Sequence, residues 1–227
     1  FVATVSHELR TPLTAVVGLS DELQHRRTDF DEQEITEFVA LIAEQSSEVA
    51  GIVDDPLTAA RTSVGKLIVT AEAIDARREV EAVLSGLEAK GHAAIIVTGD
   101  TLTMWADPGR FRQIIRNLNT NAHRYGGKQT RIELCRRSEG AAVAVLDNGA
   151  GIPDALHEQV FQPYTRAHEA STQPASVGLG LSAARELARL MEGDVLHSRD
   201  NGWTRFELLL PTADQALEPP TPHAAAS

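Results

Sequence analysis

Apolar residues recur every three or four positions near the start of the chain, which predicts an amphipathic helix from near Phe1 to about Arg27. Pro12 lies inside this helix, and because proline has no backbone N–H, we expect a kink just after His7. The apolar stripe of this helix, which we expect to be buried, consists of Val2, Val5, Leu9, Leu13 and Val16.

A start signal of the type S/T-x-x-D/E at residues 28–31 predicts a second helix, with apolar residues at near-heptad spacing as far as Val53. The two helices together predict a hairpin, which has too little core to be stable alone. We therefore expect two copies of the chain to pair their hairpins into a four-helix bundle. Pro56 is expected to kink or end the second helix, and a junction to a second module is expected at residues 65–66.

Beyond residue 66, short apolar runs alternate with helical periodicity, which predicts an α+β domain with a mixed sheet and helices on one face. The chain end is rich in Pro, Ala and Thr, and it is expected to be a disordered tail. Strands are predicted at residues 67–69, 93–98, 102–105, 130–137, 141–146, 195–198 and 204–210. Helices are predicted at residues 75–90, 107–124 and 180–191. The predicted modules are a hairpin at 1–65, a second domain at 66–211 and a tail at 212–227.

The chain is acidic, with a net charge of −11 at pH 7, and 42% of its residues are hydrophobic. An acidic chain argues against non-specific binding to nucleic acid, which needs a basic field. Cys135 is the only cysteine, so a disulfide within the chain is excluded and a reducing cytoplasmic setting fits. No apolar run is long enough to cross a membrane, which predicts no direct membrane contact. Because the chain begins inside a predicted helix and without methionine, we expect a fragment of a longer protein, for which membrane anchoring through an upstream segment stays open.

His7 and Glu8 form the first candidate pair for chemistry. His7 lies off the apolar stripe, and Glu8 is able to accept the proton of one ring nitrogen and leave the other neutral and nucleophilic. A single His–Glu pair on a solvated helix face is more often structural than catalytic, so this pair alone does not define a site.

The predicted helix at 107–124 has a polar face of amides and arginine instead of Lys and Glu. Asn117 and Asn121 are four residues apart and share this face with Arg124. Such a face suits a ligand more than water, although two asparagines on a helix are often a coincidence.

Two glycine-containing segments add to this polar face. Asp147 ends an apolar strand, where its carboxylate is able to accept a hydrogen bond from an exocyclic amine, and Gly149 and Gly151 allow backbone to approach a flat ring. Gly178 and Gly180 open a helix, whose free amides favour a phosphate. The segment before them has the length and composition of a mobile lid. Each signal is weak alone, but all of them in this order indicate a nucleotide site.

Five sequence boxes in order resemble the transmitter region of two-component sensor histidine kinases, over roughly residues 1–211. SHELRTPL resembles the phospho-acceptor box, RQIIRNLNTNAHRYGG the asparagine box and DNGAGIP the first glycine box. VFQPYTRA resembles the phenylalanine box and VGLGLSAAREL the second glycine box. The resemblance implies a dimerising phospho-acceptor hairpin, followed by an α/β-sandwich ATP-binding domain of the gyrase, chaperone and histidine kinase type.

The resemblance also implies roles in phosphoryl transfer. His7 would accept the γ-phosphoryl group of ATP and pass it to an aspartate of a response-regulator receiver domain. Glu8 would orient or deprotonate the histidine, and Thr11 would position water for regulator phosphatase activity. Asn121 would hold Mg²⁺, while Asn117 and Arg124 would assist at the phosphates.

The nucleotide would be held by a second set of residues, again by resemblance. Tyr125 would line the adenine pocket, and Asp147 would read the adenine amine. The remaining residues would shape the pocket and its lid, and these are Gly149, Gly151, Phe161, Gly178, Leu179 and Gly180. Because acceptor and nucleotide belong to different modules, a hinge at residues 62–66 is expected.

Two other functions compete with the kinase. An ATP hydrolase of the same nucleotide fold would need a glutamate base one helical turn before the metal-binding asparagine, where this chain has Asn117, an amide that cannot act as a base. A degenerate kinase acting as a dimeric nucleotide-binding scaffold is opposed by the presence of His7, Asn121 and Asp147.

Two residues depart from the pattern of this family. Pro56 stands where the family usually carries an apolar helix former, and Asn119 stands where it usually carries leucine. Asn119 falls at the edge of the apolar face of its helix. We expect both residues to lower the stability of the chain.

Overall fold

The computed structural model of the chain describes residues 2–43, 45–46, 49, 68–88, 95–163, 165 and 178–217, without the side chains of residues 2–8 and 11. The chain divides into two compact units, and each is described by itself. The first unit comprises Phe1–Leu67, Ser85–Ala94 and Ile152–Ala183, and the second comprises Ile68–Leu84, Ile95–Gly151 and Ala184–Ser227.

The first unit begins with the two predicted helices. Helix α1 spans Val2–Arg26 and contains Pro12. A 3-10 turn at Arg27–Asp29 follows it, and helix α2 occupies residues 32–43, with helical backbone again at 45, 46 and 49. Both predicted helices are therefore confirmed over the described residues. The predicted break at Pro56 lies outside the described residues.

Helix α2 begins at a capping box one turn later than the predicted start signal. The N–H of Glu34 donates to Oδ1 of Asp31 at 2.7 Å, and the N–H of Asp31 donates to Oε2 of Glu34 at 2.9 Å. Two backbone donors that the helix leaves unpaired are thereby satisfied reciprocally. The rings of Phe30 and Phe38 meet edge to face beside it, with centroids 4.9 Å apart.

The apolar stripe of the hairpin is not buried within one chain, contrary to expectation for its middle part. Of the predicted stripe on α1, Leu13 is 44% exposed, and Leu9 and Val16 are half-buried. Val17 and Val39, which lie outside the predicted stripes, are 65% and 54% exposed. A pair of helices covers only one side of each partner, so a stripe wider than that side remains open to solvent. None of the helices in the described part of the chain is both long and apolar enough to span a membrane.

The second unit is built around a mixed five-stranded sheet. Its strands are β2 (Ile96–Gly99), β4 (Thr130–Arg137), β5 (Gly140–Asp147), β6 (Asp194–Asp200) and β7 (Trp203–Leu210). Their order is β2-β4-β5-β7-β6, with β2 parallel to β4 and the other three pairs antiparallel. A separate antiparallel pair is formed by β1 (Glu72–Asp75) and β3 (Thr103–Ala106).

Four more helices complete the described chain: α3 (Ala76–Glu88), α4 (Pro108–Tyr125), α5 (Gly180–Leu190) and α6 (Ala213–Leu217). Short 3-10 turns occupy Asp154–Leu156 and Gln159–Phe161. The predicted α+β class is confirmed.

The core of the second unit lies between α4 and the sheet. Helix α4 contacts β5, and its inward side chains Phe111, Ile114, Ile115 and Leu118 are fully buried. Strand β7 alternates buried and half-buried residues, and Phe206 and Leu208 point to the buried side. Each such side chain contributes about 1.5–3 kcal/mol by leaving water.

Charged side chains of β4 and β7 form an ion-pair ladder. Arg137 donates to Glu207 at 2.6 Å, and Arg205 bonds both Glu207 at 2.8 Å and Glu133 at 2.7 Å. Burial raises the pKa of the Glu207 carboxyl, but the hydrogen bonds from Arg137 and Arg205 outweigh this effect and leave the pKa lowered.

Three sequence predictions for this region were wrong. Residues 68–69 are not in a strand, and β1 at Glu72–Asp75 was not predicted, although α3 at Ala76–Glu88 confirms the predicted helix over its described residues. One mixed sheet was expected, but β3 pairs with β1 in a separate two-stranded sheet. The predicted tail is ordered at first, because Thr212 forms a bridge to Met104 and α6 follows it. Residues 218–227 lie outside the described residues.

Asn119 is buried on α4, as its place at the edge of the apolar face suggested. It is 4% exposed, and its Oδ1 atom has no hydrogen-bond partner. An unpaired buried acceptor costs about 1–3 kcal/mol. Asn119→Leu is therefore expected to raise the melting temperature by several degrees, measured by thermal unfolding, at about 4–8 °C per kcal/mol for a small domain.

The exposed neighbour Thr120 provides the matched control, since Thr120→Leu changes helix propensity on the same turn without filling a buried position. A melting temperature of Asn119→Leu at or below that of Thr120→Leu would contradict the burial cost. The equivalent expectation for Pro56 stays a prediction.

Candidate functional site

Helix α4 begins at a carboxylate cap that also holds the preceding chain. Oδ1 of Asp107 accepts from the N–H groups of Gly109 at 2.9 Å and Arg110 at 3.0 Å, and Oδ2 accepts from the N–H of Thr70 at 3.1 Å. Partial burial raises the pKa of the Asp107 carboxyl, but the three backbone donors outweigh it and the pKa is lowered. The cap therefore stays ionised at neutral pH and fixes the direction of the helix.

The far half of α4 carries the predicted polar residues. Asn117, Asn121, Arg124 and Tyr125 are all partly exposed, while the opposite side of the helix is buried in the core. The helix ends at Gly126, whose N–H donates to the Ala122 carbonyl at 2.9 Å. The amide and guanidinium groups are therefore held on a fixed scaffold and remain accessible to a ligand.

Asp147 is the last residue of β5 and is only 5% exposed. Its Oδ1 accepts from the N–H of Gly149 at 2.9 Å, which closes a turn at the strand end. Burial raises the pKa of the Asp147 carboxyl, and the N–H of Gly149 and the charge of Arg199 lower it in part. Apart from the Gly149 N–H and the charge of Arg199, no contact in the described part of the chain lowers the pKa of this buried carboxylate. Such a carboxylate is suited to accept a hydrogen bond from a bound ligand.

The turn after Asp147 packs against the end of α4 so closely that side chains are excluded. A Cβ on Gly149 would lie 2.7 Å from the Tyr125 carbonyl oxygen and 2.8 Å from Cα of Gly126. A Cβ on Gly126 would lie 2.7 Å from Cβ of Asp147. Only glycine leaves enough space at these two positions. The backbone of the turn after Asp147 therefore packs directly against the backbone at Tyr125.

Gly149→Ala is expected to destabilise the chain by about 1–3 kcal/mol, because its methyl group must displace backbone on both sides. Affinity for Mg·ATP is expected to fall in parallel, as the turn that carries Asp147 shifts. Thermal unfolding and titration with a fluorescent ATP analogue measure the two effects.

Gly86 is the matched control, because a Cβ there would meet nothing within 4 Å and the residue lies inside α3. Gly86→Ala is expected to stabilise by about 0.5–1 kcal/mol and to leave nucleotide affinity unchanged. If Gly149→Ala behaved like Gly86→Ala, the close packing of the turn would be refuted.

Arg199 on β6 is the residue that the sequence interpretation missed. Its Nη1 donates to Oγ1 of Thr204 at 2.8 Å, and its Nη2 donates to the carbonyl of Gly149 at 3.1 Å. Its guanidinium also fills the space where a Cβ of Gly151 would stand, and Gly151 has a φ of 81°. The only signal for this role is the pairing register of β6 with β7, which the sequence does not reveal.

The first unit contains the second glycine pair. Gly178 has a φ of 71°, Leu179 is buried and Gly180 begins α5. The carbonyl of Leu179 accepts both the N–H of Ala183 and the hydroxyl of Ser182, each at 2.8 Å. The predicted helix start is confirmed, and it places Gly180 at the N-terminus of α5.

The remaining predicted residues also lie in the first unit. Phe161 is 8% exposed at the end of a 3-10 turn. His7, Glu8 and Thr11 lie within α1, but their side chains are outside the described part of the structure. Within the second unit, the structure brings Asp147 and Gly149 together with Tyr125 at the end of the helix that carries Asn117, Asn121 and Arg124.

The second-unit residues fit a purine nucleotide and a hard cation. A buried carboxylate beside bare backbone suits a flat ring with an exocyclic amine, and amides with a guanidinium suit phosphates. Among the described residues, no cluster of three or more His, Cys, Asp or Glu side chains is arranged around a cation. Mg²⁺ takes few protein ligands and keeps substrate oxygens, so the amide oxygen of Asn121 is chemically suited to it without a carboxylate cluster.

Two family profiles match the chain. The family described as "Histidine kinase-, DNA gyrase B-, and HSP90-like ATPase" matches residues 106–214, and the "His Kinase A (phospho-acceptor) domain" matches residues 1–65. The first match contains α4 and the Asp147 turn, and the second contains His7.

Related proteins extend over almost the whole chain. It is 32% identical over 216 residues to the probable sensor histidine kinase TcrY of Mycobacterium tuberculosis, which covers 93% of this chain and 45% of TcrY. It is 29% identical over 233 residues to the histidine protein kinase DivJ of Caulobacter vibrioides, which covers 98% of this chain and 39% of DivJ. The chain thus spans less than half the length of these two relatives.

Solved structures of histidine kinases share the fold. The Acinetobacter baumannii histidine kinase AdeS matches with a TM-score of 0.64 at 23% identity, over 91% of this chain and 98% of that one. Full-length ShkA in complex with AMPPNP matches with a TM-score of 0.57 at 26% identity, over 93% of this chain and 46% of ShkA. With both domain families present in order, the chain belongs to the two-component histidine kinases and comprises their transmitter region, a phospho-acceptor domain followed by an ATP-binding domain.

Proposed function

We propose that this chain uses ATP to phosphorylate His7 and then passes the phosphoryl group to an aspartate of a response-regulator receiver domain. The observation that carries the proposal is the buried Asp147 turn packed on the end of α4, in a chain whose first 65 residues match a phospho-acceptor domain. Comparison with known proteins favours neither the ATP hydrolase nor the scaffold. We place this activity in the cytoplasm, where ATP is available.

Three residues of α1, with His7 as the phosphoryl acceptor, carry out the chemistry on the acceptor side. A neutral ring nitrogen of His7 attacks the γ-phosphorus, a nitrogen–phosphorus bond forms, and the bond from that phosphorus to the bridging oxygen of ADP breaks. Glu8 accepts the proton of the other ring nitrogen and keeps the ring oriented. Thr11 positions a water for removal of phosphate from the regulator.

The donor is held by the second unit. Asp147 accepts a hydrogen bond from the 6-amino group of adenine, Tyr125 lines the ring, and Gly149 and Gly151 keep side chains out of its way. Asn117 and Arg124 contact the phosphates. Asn121 would hold Mg²⁺, which when bound would supply positive charge beside the phosphate oxygens. Phosphoryl transfer needs mainly such positioning and charge neutralisation.

The second glycine pair, in the first unit, is proposed to contribute to phosphate binding. The N-terminal amides of α5 at Gly180 favour phosphate, and the φ of 71° at Gly178 supports a turn that only glycine adopts readily. Leu179 and Phe161 are buried and flank in sequence the segment predicted to be a lid.

Dimerisation is the second part of the proposal. The hairpin leaves Leu13, Val17, Val39 and Leu41 exposed on α1 and α2. Burying these side chains against a second copy gives the four-helix bundle, and its surface beside His7 would receive the regulator.

Incubation with γ-labelled ATP and Mg²⁺ distinguishes the three candidate functions. Acid-labile label on the protein supports the kinase. Free phosphate without labelled protein would indicate the hydrolase, and nucleotide binding with neither product would indicate the scaffold.

A further inference from the structure

Arg199 stands in a row of polar residues at one end of the sheet. In the pairing register, Arg199 on β6 lies opposite Thr204 on β7, and Thr204 lies opposite Asp147 on β5. Paired residues of neighbouring strands share one face of a sheet. Thr204 and Asp147 are both buried, and Arg199 covers this row from the edge strand while remaining exposed itself.

The guanidinium of Arg199 restrains the turn after Asp147 at two points. It donates to the carbonyl of Gly149 at 3.1 Å, and it stands against the backbone of Gly151, in the space that a Cβ of that residue would occupy. Its third contact, to Oγ1 of Thr204 at 2.8 Å, ties the guanidinium to the sheet. A planar group with several fixed donors restrains a turn in this way, and a lysine ammonium does not.

Arg199 also supplies positive charge to a carboxylate in an unfavourable setting. Burial raises the pKa of the Asp147 carboxyl, and Arg199 is the charged side chain that opposes this effect. The Gly149 N–H is the other stabilising contact. Loss of Arg199 therefore removes both a geometric and an electrostatic support of the same group.

We propose that Arg199 is a positioning residue that holds the turn of Asp147, Gly149 and Gly151 in place and thereby sets the preference of the site for a 6-amino purine. This inference rests on the proposed contact between Asp147 and adenine. A merely structural arginine would weaken binding of every nucleotide alike. A positioning residue for Asp147 instead weakens binding of nucleotides that have the amino group and spares those without it.

The experiment compares ATP with purine riboside triphosphate, which lacks the 6-amino group, by competition against a fluorescent nucleotide in the presence of Mg²⁺. A hydrogen bond to a charged group corresponds to about tenfold or more in affinity, which is the preference for ATP expected of the wild type. Arg199→Met is expected to reduce this preference by about threefold or more, since one supporting hydrogen bond and a charge are lost. Arg199→Lys, which keeps the charge, is expected to fall between the two.

Arg137→Met is the matched control, because Arg137 bonds Glu207 at the other end of β4, away from Asp147. It is expected to keep the wild-type preference. Arg199→Met in an Asp147→Asn background is expected to change the preference no further, because the group through which Arg199 acts is absent.

The two proposals fail in different ways. If Asp147→Asn keeps the preference for ATP, the contact between Asp147 and adenine is wrong. If Asp147→Asn loses the preference but Arg199→Met keeps it, or weakens both nucleotides equally, the role of Arg199 is wrong. If Arg199→Met does not fold, the same comparison on Arg199→Lys decides, with an unchanged preference counting against the proposal.

Discussion

Replacing His7 with glutamine is expected to abolish acid-labile labelling from γ-labelled ATP while leaving nucleotide affinity unchanged. Glutamine keeps a polar group of similar length but has no imidazole nitrogen to form a bond to phosphorus. His7 lies off the predicted apolar stripe, so the substitution is expected to leave the hairpin folded. Labelling is measured after acid and alkaline treatment, and affinity by titration with a fluorescent ATP analogue.

His25 offers a control on the same helix. It is exposed near the end of α1, where its Nδ1 lies 3.0 Å from the Asp21 carbonyl oxygen. His25→Gln is expected to be labelled like the wild type. Label of wild-type intensity on His7→Gln would show that another of the eight histidines is the acceptor.

Asp147→Asn is expected to weaken Mg·ATP binding by about tenfold to a hundredfold, the range for a lost hydrogen bond to a charged group. Asparagine keeps an oxygen for the N–H of Gly149, so the turn is preserved. The second carboxylate oxygen is replaced by an NH2 group, which cannot accept a hydrogen bond from the adenine amine. Isothermal titration measures the affinity, and labelling of His7 is expected to fall with it at limiting ATP.

The same substitution is expected to keep or raise the melting temperature without nucleotide. Burial raises the pKa of Asp147, so the folded state binds this proton more tightly than the unfolded state does. The ionised carboxylate therefore costs stability once the pH is above the raised pKa, and the neutral amide does not. Asp200→Asn, an exposed change on β6, is the control for both measurements. A lower melting temperature with unchanged affinity would make Asp147 a structural residue.

The sequence predicted those features that are determined by residues close together in the chain, such as helix starts and tight turns. Asp107 and Pro108 marked the start of α4, and the apolar face of that helix is buried as its spacing indicated. The turn after Asp147 was also predicted, although the structure adds a second reason for Gly149, its approach to the Tyr125 carbonyl.

The features that the sequence did not reveal depend on contacts between distant segments. Strand β1 has four residues and buries only Ile74, so it leaves no alternating pattern to detect. Strand β2 pairs in parallel with β4, so it lies in a different sheet from β3. The two strands are neighbours in the chain, and their sequence gives no sign that they belong to different sheets. Arg199 reaches Gly149 across 50 residues, and that contact follows from strand register and not from a motif.

The carboxylate of Asp107 joins two backbone segments that are 37 residues apart. One oxygen caps α4, and the other receives the chain at Thr70. Helix ends and incoming chain segments usually fray independently, each at its own small free energy. Here the loss of one side chain releases both, so local opening at this corner is expected to be a single concerted event that exposes the amides of Thr70, Gly109 and Arg110 to hydrogen exchange together.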